Sequence, residues 1–250
     1  MQNKFLLYKK KFIKFLKQNK LYKEDNELVY ENFIEKMENF SKHPFSSKFK
    51  WYLSIKSKCS AKISNKKIDA LNNWNYDKKK GSLNHKSGKF FSIIGISVKN
   101  ANREINQWDQ PFIKQSNLTG GIIGLVRKKI NGIPHYLVEA KYEPGNYNKI
   151  QISPSVQATF SNLERIHEGK KNNILNYYFN SQYVLIFKGW MSEDGSRFFK
   201  KRNLHWFIET KKKNKNFGEN YKWLTLWDIR MFIKKGTYVN PHLRAMLSLI

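Results

Sequence analysis

Lys141 and Glu143 stand two residues apart at the end of residues 135–142 (HYLVEAKY), whose alternation of apolar and polar side chains predicts a β-strand. Side chains two apart on a strand share a face, so the ammonium and the carboxylate are neighbours. A lysine beside a carboxylate can meet a developing oxyanion while the carboxylate moves a proton. The same two groups can also form a solvated edge contact of little consequence. Beyond the turn Pro144-Gly145-Asn146, each even position from Ile150 to Phe160 is apolar or proline. The odd positions are Gln151, Ser153, Ser155, Gln157 and Thr159. Period two predicts one strand with an uncharged polar face. No charged residue falls between Ile150 and Leu163, although the chain has 47 Lys and Arg. A merely solvated face in such a chain would carry charge; hydroxyls and amides alone suit a neutral polar ligand such as a sugar.

Other chemistries are poorly served. The six histidines show no paired metal-ligand spacing, and Cys59, the single cysteine, completes no zinc set. With one cysteine no internal disulfide can form, so a reducing, cytoplasmic setting is expected. Gly120, Gly121 and Gly124 lie between strands and lack phosphate-loop spacing. No metal and no nicotinamide cofactor is expected. Trp74, Trp108 and Trp223 each adjoin polar turn residues, where an indole can stack on a nucleobase or simply fill core.

The elements that must carry these groups can be read from periodicity. At 250 residues, 40% apolar and 15% aromatic, the chain can bury a real core. No apolar run reaches the length of a membrane span, and no signal peptide pattern opens the chain. The net charge of +28 is scattered in short, mostly lysine runs and goes with frequent Asn and Ile. That reads as codon usage and not as a nucleic-acid surface. Residues 1–60 read as an N-terminal helical extension, with apolar stripes from Phe5 to Leu16 and from Leu28 to Phe40, stopped at His43-Pro44. It could pack on the main domain or a partner subunit, or lie on a membrane surface. From residue 61 to 250 strands dominate: 90–98, 121–129, 133–142, 183–190 and 204–209. Asn131-Gly132 marks a two-residue hairpin. Thr225 with Asp228 forms a capping box, and Asn240 before Pro241 starts a last helix. The class is α+β with a mixed or antiparallel sheet.

A longer set of segments resembles one family, the NDP-hexose 2,3-dehydratases of deoxysugar biosynthesis. The matching pieces are Asn73-Trp74; His85 through Ser92 (HKSGKFFS); Arg103-Glu104-Ile105 with Trp108-Asp109-Gln110-Pro111; and Ala140 through Asn146 (AKYEPGN). They continue with Ser153 through Thr159 (SPSVQAT), Ser161-Asn162, Ser192 through Phe198 (SEDGSRF), Asn203, Trp223 through Leu226, and Asn240 with Arg244. The resemblance covers about residues 66–250. It implies a Nudix-like α/β/α sandwich with a mixed sheet. The chain lacks the glutamate-rich Nudix signature, which argues against metal-dependent diphosphate hydrolysis. Family members usually carry two tandem copies of this module and this sequence carries one, so a homodimer in place of the tandem pair is expected.

The implied reaction needs no cofactor. In an NDP-4-keto-6-deoxyhexose the ketone acidifies the C3 hydrogen, and the C2 hydroxyl is placed to leave. Elimination of water gives the 3,4-diketo-2,6-dideoxy sugar. On this resemblance Glu143 is expected as base, Lys141 as enolate partner and His85 as acid. Ser155, Gln157 and Thr159 would hold the sugar, Lys89, Arg103 and Arg197 the diphosphate, and Trp74 or Trp108 the base, with Gln110 at its edge. Ser87, Asn146 and Arg244 complete the expected substrate-binding set. The substrate would be dTDP-linked or carry another nucleotide. The alternative is a catalytically inactive Nudix-like sugar-nucleotide-binding or scaffold module.

Overall fold

A computed structural model describes residues 2–115, 119–159, 174–175, 182–211 and 216–250. The N-terminal extension forms α1 (Gln2–Gln18), α2 (Glu27–Met37) and α3 (Phe45–Ser57). The first two match the apolar stripes, and Pro44 starts α3 instead of merely ending α2. Phe5, Ile34 and Phe40 bury themselves with Ile133 of the sheet, so the extension packs on the main domain. No helix among the described residues is long and apolar enough to cross a membrane.

Two sheets follow. The smaller has the order β1 (Trp74–Asp77), β2 (Ser82–His85), β3 (Ser92–Val98), β4 (Trp108–Lys114), all antiparallel. The larger is built on β5 (Thr119–Ile130), β6 (Ile133–Tyr142), β9 (Tyr183–Ser192), β10 (Arg202–Thr210) and β11 (Tyr221–Leu224), in the order β11-β6-β5-β10-β9. Only β5 and β10 run parallel, so the sheet is mixed, as expected. At the β5–β6 turn both Asn131 (φ 51°) and Gly132 (φ 77°) are left-handed, which the hairpin twist requires.

The stretch at 150–160 departs from the sequence reading. It is not one strand but two, β7 (Ile150–Ser153) and β8 (Val156–Thr159), and Phe160 lies outside the described residues. β5 and β6 pair from Ile130↔Ile133 to Val126↔Leu137 and then part; β5 goes on to pair with β8, and β6 with β7. Proline has no N–H for a ladder, so Pro154 marks the break. As a result Ile152 and Val156, expected on one face, belong to opposite faces of the sheet. Ser155 plugs the fork. Fully buried, its Oγ accepts from the Val126 N–H (2.9 Å) and donates to the Leu137 carbonyl (2.6 Å).

On one face of the large sheet, Leu125, Tyr136, Val138 and Ile152 pack against Tyr52 of α3, Ile229 and Phe232 of α4 (Leu226–Lys234), and Leu243 and Met246 of α5 (Pro241–Leu247). Full burial of such side chains contributes about 1.5–3 kcal/mol each. The capping box is present: Thr225 accepts from the Asp228 N–H, and Asp228 accepts from the Thr225 N–H. The Asn240 side chain caps α5, with Pro241 at its first turn. Residues just before α5 run along β7: the Ile152 N–H donates to Tyr238 O (2.8 Å) and the Asn240 N–H to Ile152 O (3.0 Å). This pairing brings the start of α5 to the fork.

Candidate active site

Lys141 and Glu143 are neighbours, as period two predicts, with Nζ and Oε1 3.6 Å apart. Gln157 joins them from β8. Its Nε2 donates to Glu143 Oε1 (2.7 Å), and its backbone carbonyl accepts from Lys141 Nζ (3.0 Å). Its Oε1 accepts from Asn240 Nδ2 (2.9 Å), which lies 3.0 Å from Ser153 Oγ. Both ends of the Gln157 amide are therefore engaged, which fixes its orientation and holds the Glu143 carboxylate. Asn240 does two jobs, since its Oδ1 also accepts from the Leu243 N–H.

The second half of the cluster comes from β9, β10 and α5. Glu193, immediately after β9, accepts from Asn203 Nδ2 and lies 3.8 Å from Lys201 Nζ and 3.7 Å from His242 Nε2. Asn203 is buried against Gly120, where any Cβ would collide with its side-chain oxygen. His205, also buried, sits two residues along β10. Burial lowers the His242 pKa below its ordinary value; the Glu193 carboxylate opposes this most, while His205 and Lys201 reinforce it. Glu143 also raises it, so His242 feels both carboxylates and ties the two halves together. Burial lowers Lys201 as well, against the charge of Glu193. At neutral pH the imidazole of His242 is uncharged and can accept a proton.

The remaining expected residues fall into other places. Ser155 is sealed in the fork with both bonds made to backbone, so it shapes the site and does not face a sugar. Thr159 ends β8 opposite Gly121. Asn146 is in the exposed turn, its side chain on the Lys149 carbonyl (3.3 Å). Arg244 is exposed on α5, one turn beyond Asn240. Ser161 and Asn162 lie outside the described residues.

His85, Ser87, Lys89, Trp74, Trp108, Gln110 and Arg103 belong to the small sheet and its loops. The partners of His85 are Ser87 Oγ (2.8 Å from Nδ1) and the rings of Trp74 and Phe90. Trp74 borders an open cleft of about 1030 Å³ with Tyr76 and Leu83. Trp108 donates its indole N–H to Gln110 Oε1 (2.7 Å), and the Arg103 guanidinium lies 5.8 Å from its ring centre. Gln110 in turn donates to Ser196 O (2.7 Å), so its amide is engaged at both ends and is not free to read a base. Arg197 is exposed and paired with Asp194 (3.2 Å).

One segment links these residues to the cluster. Residues 193–200 leave the cluster at Glu193 and clamp β4, with Ile113 N–H on Arg197 O (2.8 Å) and Phe199 N–H on Ile113 O (2.9 Å). Glu193, Lys201 and His242 were given no role in the sequence reading because no local spacing connects them, and Asn203 was matched to the family without a role. The available signals were weak: Glu193 lies inside the quoted SEDGSRF segment, and His242 lies two residues past an Asn-Pro helix start. Among the described residues, no three His, Cys, Asp or Glu side chains converge as metal ligands.

Comparison with known proteins agrees with the sequence resemblance. The chain is 34% identical over 184 residues to a dTDP-4-dehydro-6-deoxy-alpha-D-glucopyranose 2,3-dehydratase of Saccharopolyspora spinosa, covering 73% of this chain and 37% of that protein. It is equally 34% identical over 185 residues to the protein of the same name from Amycolatopsis orientalis, covering 71% and 38%. The chain thus spans a little over a third of the length of the curated relatives it matches. Among solved structures, the Ap4A hydrolase of C. elegans aligns with 52% of this chain and 95% of its own at 15% identity, with a TM-score of 0.30. At that overlap the α+β class rests on the strands and helices themselves. The family model described as NDP-hexose 2,3-dehydratase matches residues 46–250, starting within α3, and the chain belongs to that family.

Proposed function

We propose that this chain carries the catalytic cluster of a sugar-nucleotide 2,3-dehydratase acting on an NDP-4-keto-6-deoxyhexose, dTDP-4-keto-6-deoxyglucose first among them. The observation that carries the reading is the Lys141–Glu143–Gln157 constellation, held by Asn240, in a chain of this family. The Glu143 carboxylate takes the C3 proton, and the electron pair moves into the ketone. The enolate oxygen faces Lys141. The pair then returns to form the C2–C3 double bond as the C2–O bond breaks, and the proton held by Glu143 leaves with the hydroxide as water. Atoms and charge balance with the ketone as electron sink, so the step calls for no redox cofactor. The acid role expected of His85 is not retained, because its partners lie on the small sheet. The nucleotide is assigned to the small sheet, with Trp74, Lys89 and Arg103, and to Arg197 on the linking segment.

A second assignment of the base is favoured by one observation: His242 is neutral at neutral pH and lies beside Glu193, whose carboxylate would steady an imidazolium. Purified protein supplied with the 4-keto sugar nucleotide, without added metal or cofactor, tests both. Consumption is the expected result, abolished in Glu143→Gln with nucleotide binding intact. Full turnover by E143Q together with loss in His242→Gln would move the base to His242. Binding without consumption by the wild type would leave the non-catalytic sugar-nucleotide module. Assembly of two chains, and a cytoplasmic setting in keeping with the single cysteine, belong to the same proposal; sedimentation of the purified protein tests the assembly.

A further inference from the structure

A recess of about 490 Å³ opens between the segment joining α2 to α3, the β5–β6 hairpin and β11. It lies at the opposite end of β6 from the proposed active site: His135 lines it, and Lys141 is six residues further on, about 20 Å along an extended strand. Lys42, Lys48, Lys222 and Asp228 line it too, so three ammonium groups face one carboxylate. Lys48 is 6% exposed, and the one hydrogen bond its Nζ makes among the described residues is a long one, 3.4 Å, to the His43 carbonyl. An ammonium has three N–H donors, and burying it without acceptors is costly. Asp228, 1% exposed, spends Oδ2 on the Thr225 N–H and on the hydroxyls of Thr225 and Ser41. Its Oδ1 is buried and has no hydrogen-bond partner. The recess thus holds ammonium groups short of acceptors, with Lys222 Nζ 5.2 Å over the Trp51 ring, beside one unused carboxylate acceptor. Burial and then the Lys48 charge depress Lys222, with Asp228 opposing; burial chiefly depresses His135. In both, the Lys48 charge adds to the effect of burial.

We propose that this recess binds a small phosphate-class dianion bearing a hydroxyl, such as hydrogenphosphate, with Lys48 and Lys222 on its charged oxygens and its O–H donated to Asp228 Oδ1. An anion without a hydroxyl would bring only acceptors to that carboxylate, so phosphate is preferred over sulfate. Calorimetric titration of the full chain with inorganic phosphate and with sulfate, at matched ionic strength and pH 7.5, tests this. One saturable phosphate site is expected, with sulfate weaker by about 10-fold or more, the loss of one charge-assisted hydrogen bond. Lys222→Gln, at a half-buried position on β11, weakens phosphate by about 10-fold, and Lys48→Gln is a second variant acting on the same oxygens. Lys80→Gln, on the exposed β1–β2 turn, leaves affinity unchanged. Absence of saturable phosphate binding, equal affinity for sulfate, or undiminished binding by folded K222Q would each overturn the proposal.

Discussion

Replacing Ser155 by alanine separates a structural hydroxyl from a substrate-binding one. Ser155 is fully buried, and its Oγ serves the Val126 N–H and the Leu137 carbonyl where β5 and β6 part. Alanine fits the space but leaves both backbone groups without a partner in a dry environment. Each such loss costs about 1–3 kcal/mol, so S155A is destabilised by roughly 2–6 kcal/mol. Followed by circular dichroism in urea, its midpoint falls by about 1 M or more, given slopes of a few kcal/mol per molar. Sugar-nucleotide affinity of the folded fraction stays at the wild-type level, because no ligand atom meets the hydroxyl. A variant that unfolds at the wild-type urea concentration yet loses that affinity would refute the reasoning and return Ser155 to the pocket.

Burial raises the Glu35 carboxyl to about 8, against the pull of Arg127 and the Tyr136 hydroxyl, with Glu31 and Glu209 adding to the rise. The folded state therefore holds a proton that the unfolded state releases near 4.5, and this contribution to stability declines as pH rises from about 4.5 to 8. Glu35→Gln should flatten that decline, by at most about 5 kcal/mol, in urea midpoints measured across the range. Glu31 acts oppositely: its pKa is lowered to about 2, with Arg127 as the main favourable charge, so stability is lost as pH falls from 4.5 towards 2. A Cβ at Gly121 would strike the backbone of Ala158 and Thr159, so Gly121→Ala should disrupt β5–β8 pairing; hydrogen exchange at Gln157 would accelerate. Proton NMR of His242 should titrate below its ordinary 6.5, and Glu193→Gln should lower the midpoint further by removing the largest favourable charge.

The hairpin at Asn131-Gly132, the alternation along β6 and both C-terminal caps were legible because each rests on contacts within a few residues. So was the Lys141–Glu143 pair. The fork was not: a serine that replaces a ladder rung looks, in sequence, like any other polar residue on an alternating strand. Proline at 154 was the clue that the strand breaks. Nor could the sequence place Glu193 beside His242, or His85 beside Trp74 and Phe90, since both depend on how separate segments meet. Arg127 was hidden for a related reason. It lies at an inward-facing position of β5, where pattern calls for an apolar residue, and among the described residues it pairs with Glu31 and, at 3.8 Å, Glu35 of α2 and with Glu209 of β10. Motif similarity named the family residues as a set while leaving unspecified which of the two sheets each one occupies.

Residues 193–200 give the two sheets a shared hinge pin. The same short run ends in a carboxylate at the cluster and grips Ile113 through the Arg197 carbonyl and the Phe199 amide, so a displacement of β4 is transmitted to Glu193 through only four peptide units. In the proposed reaction, where the C2 hydroxyl leaves and the nucleotide stays attached, one continuous run of backbone would join a nucleotide seated beside β4 to the carboxylate beside His242.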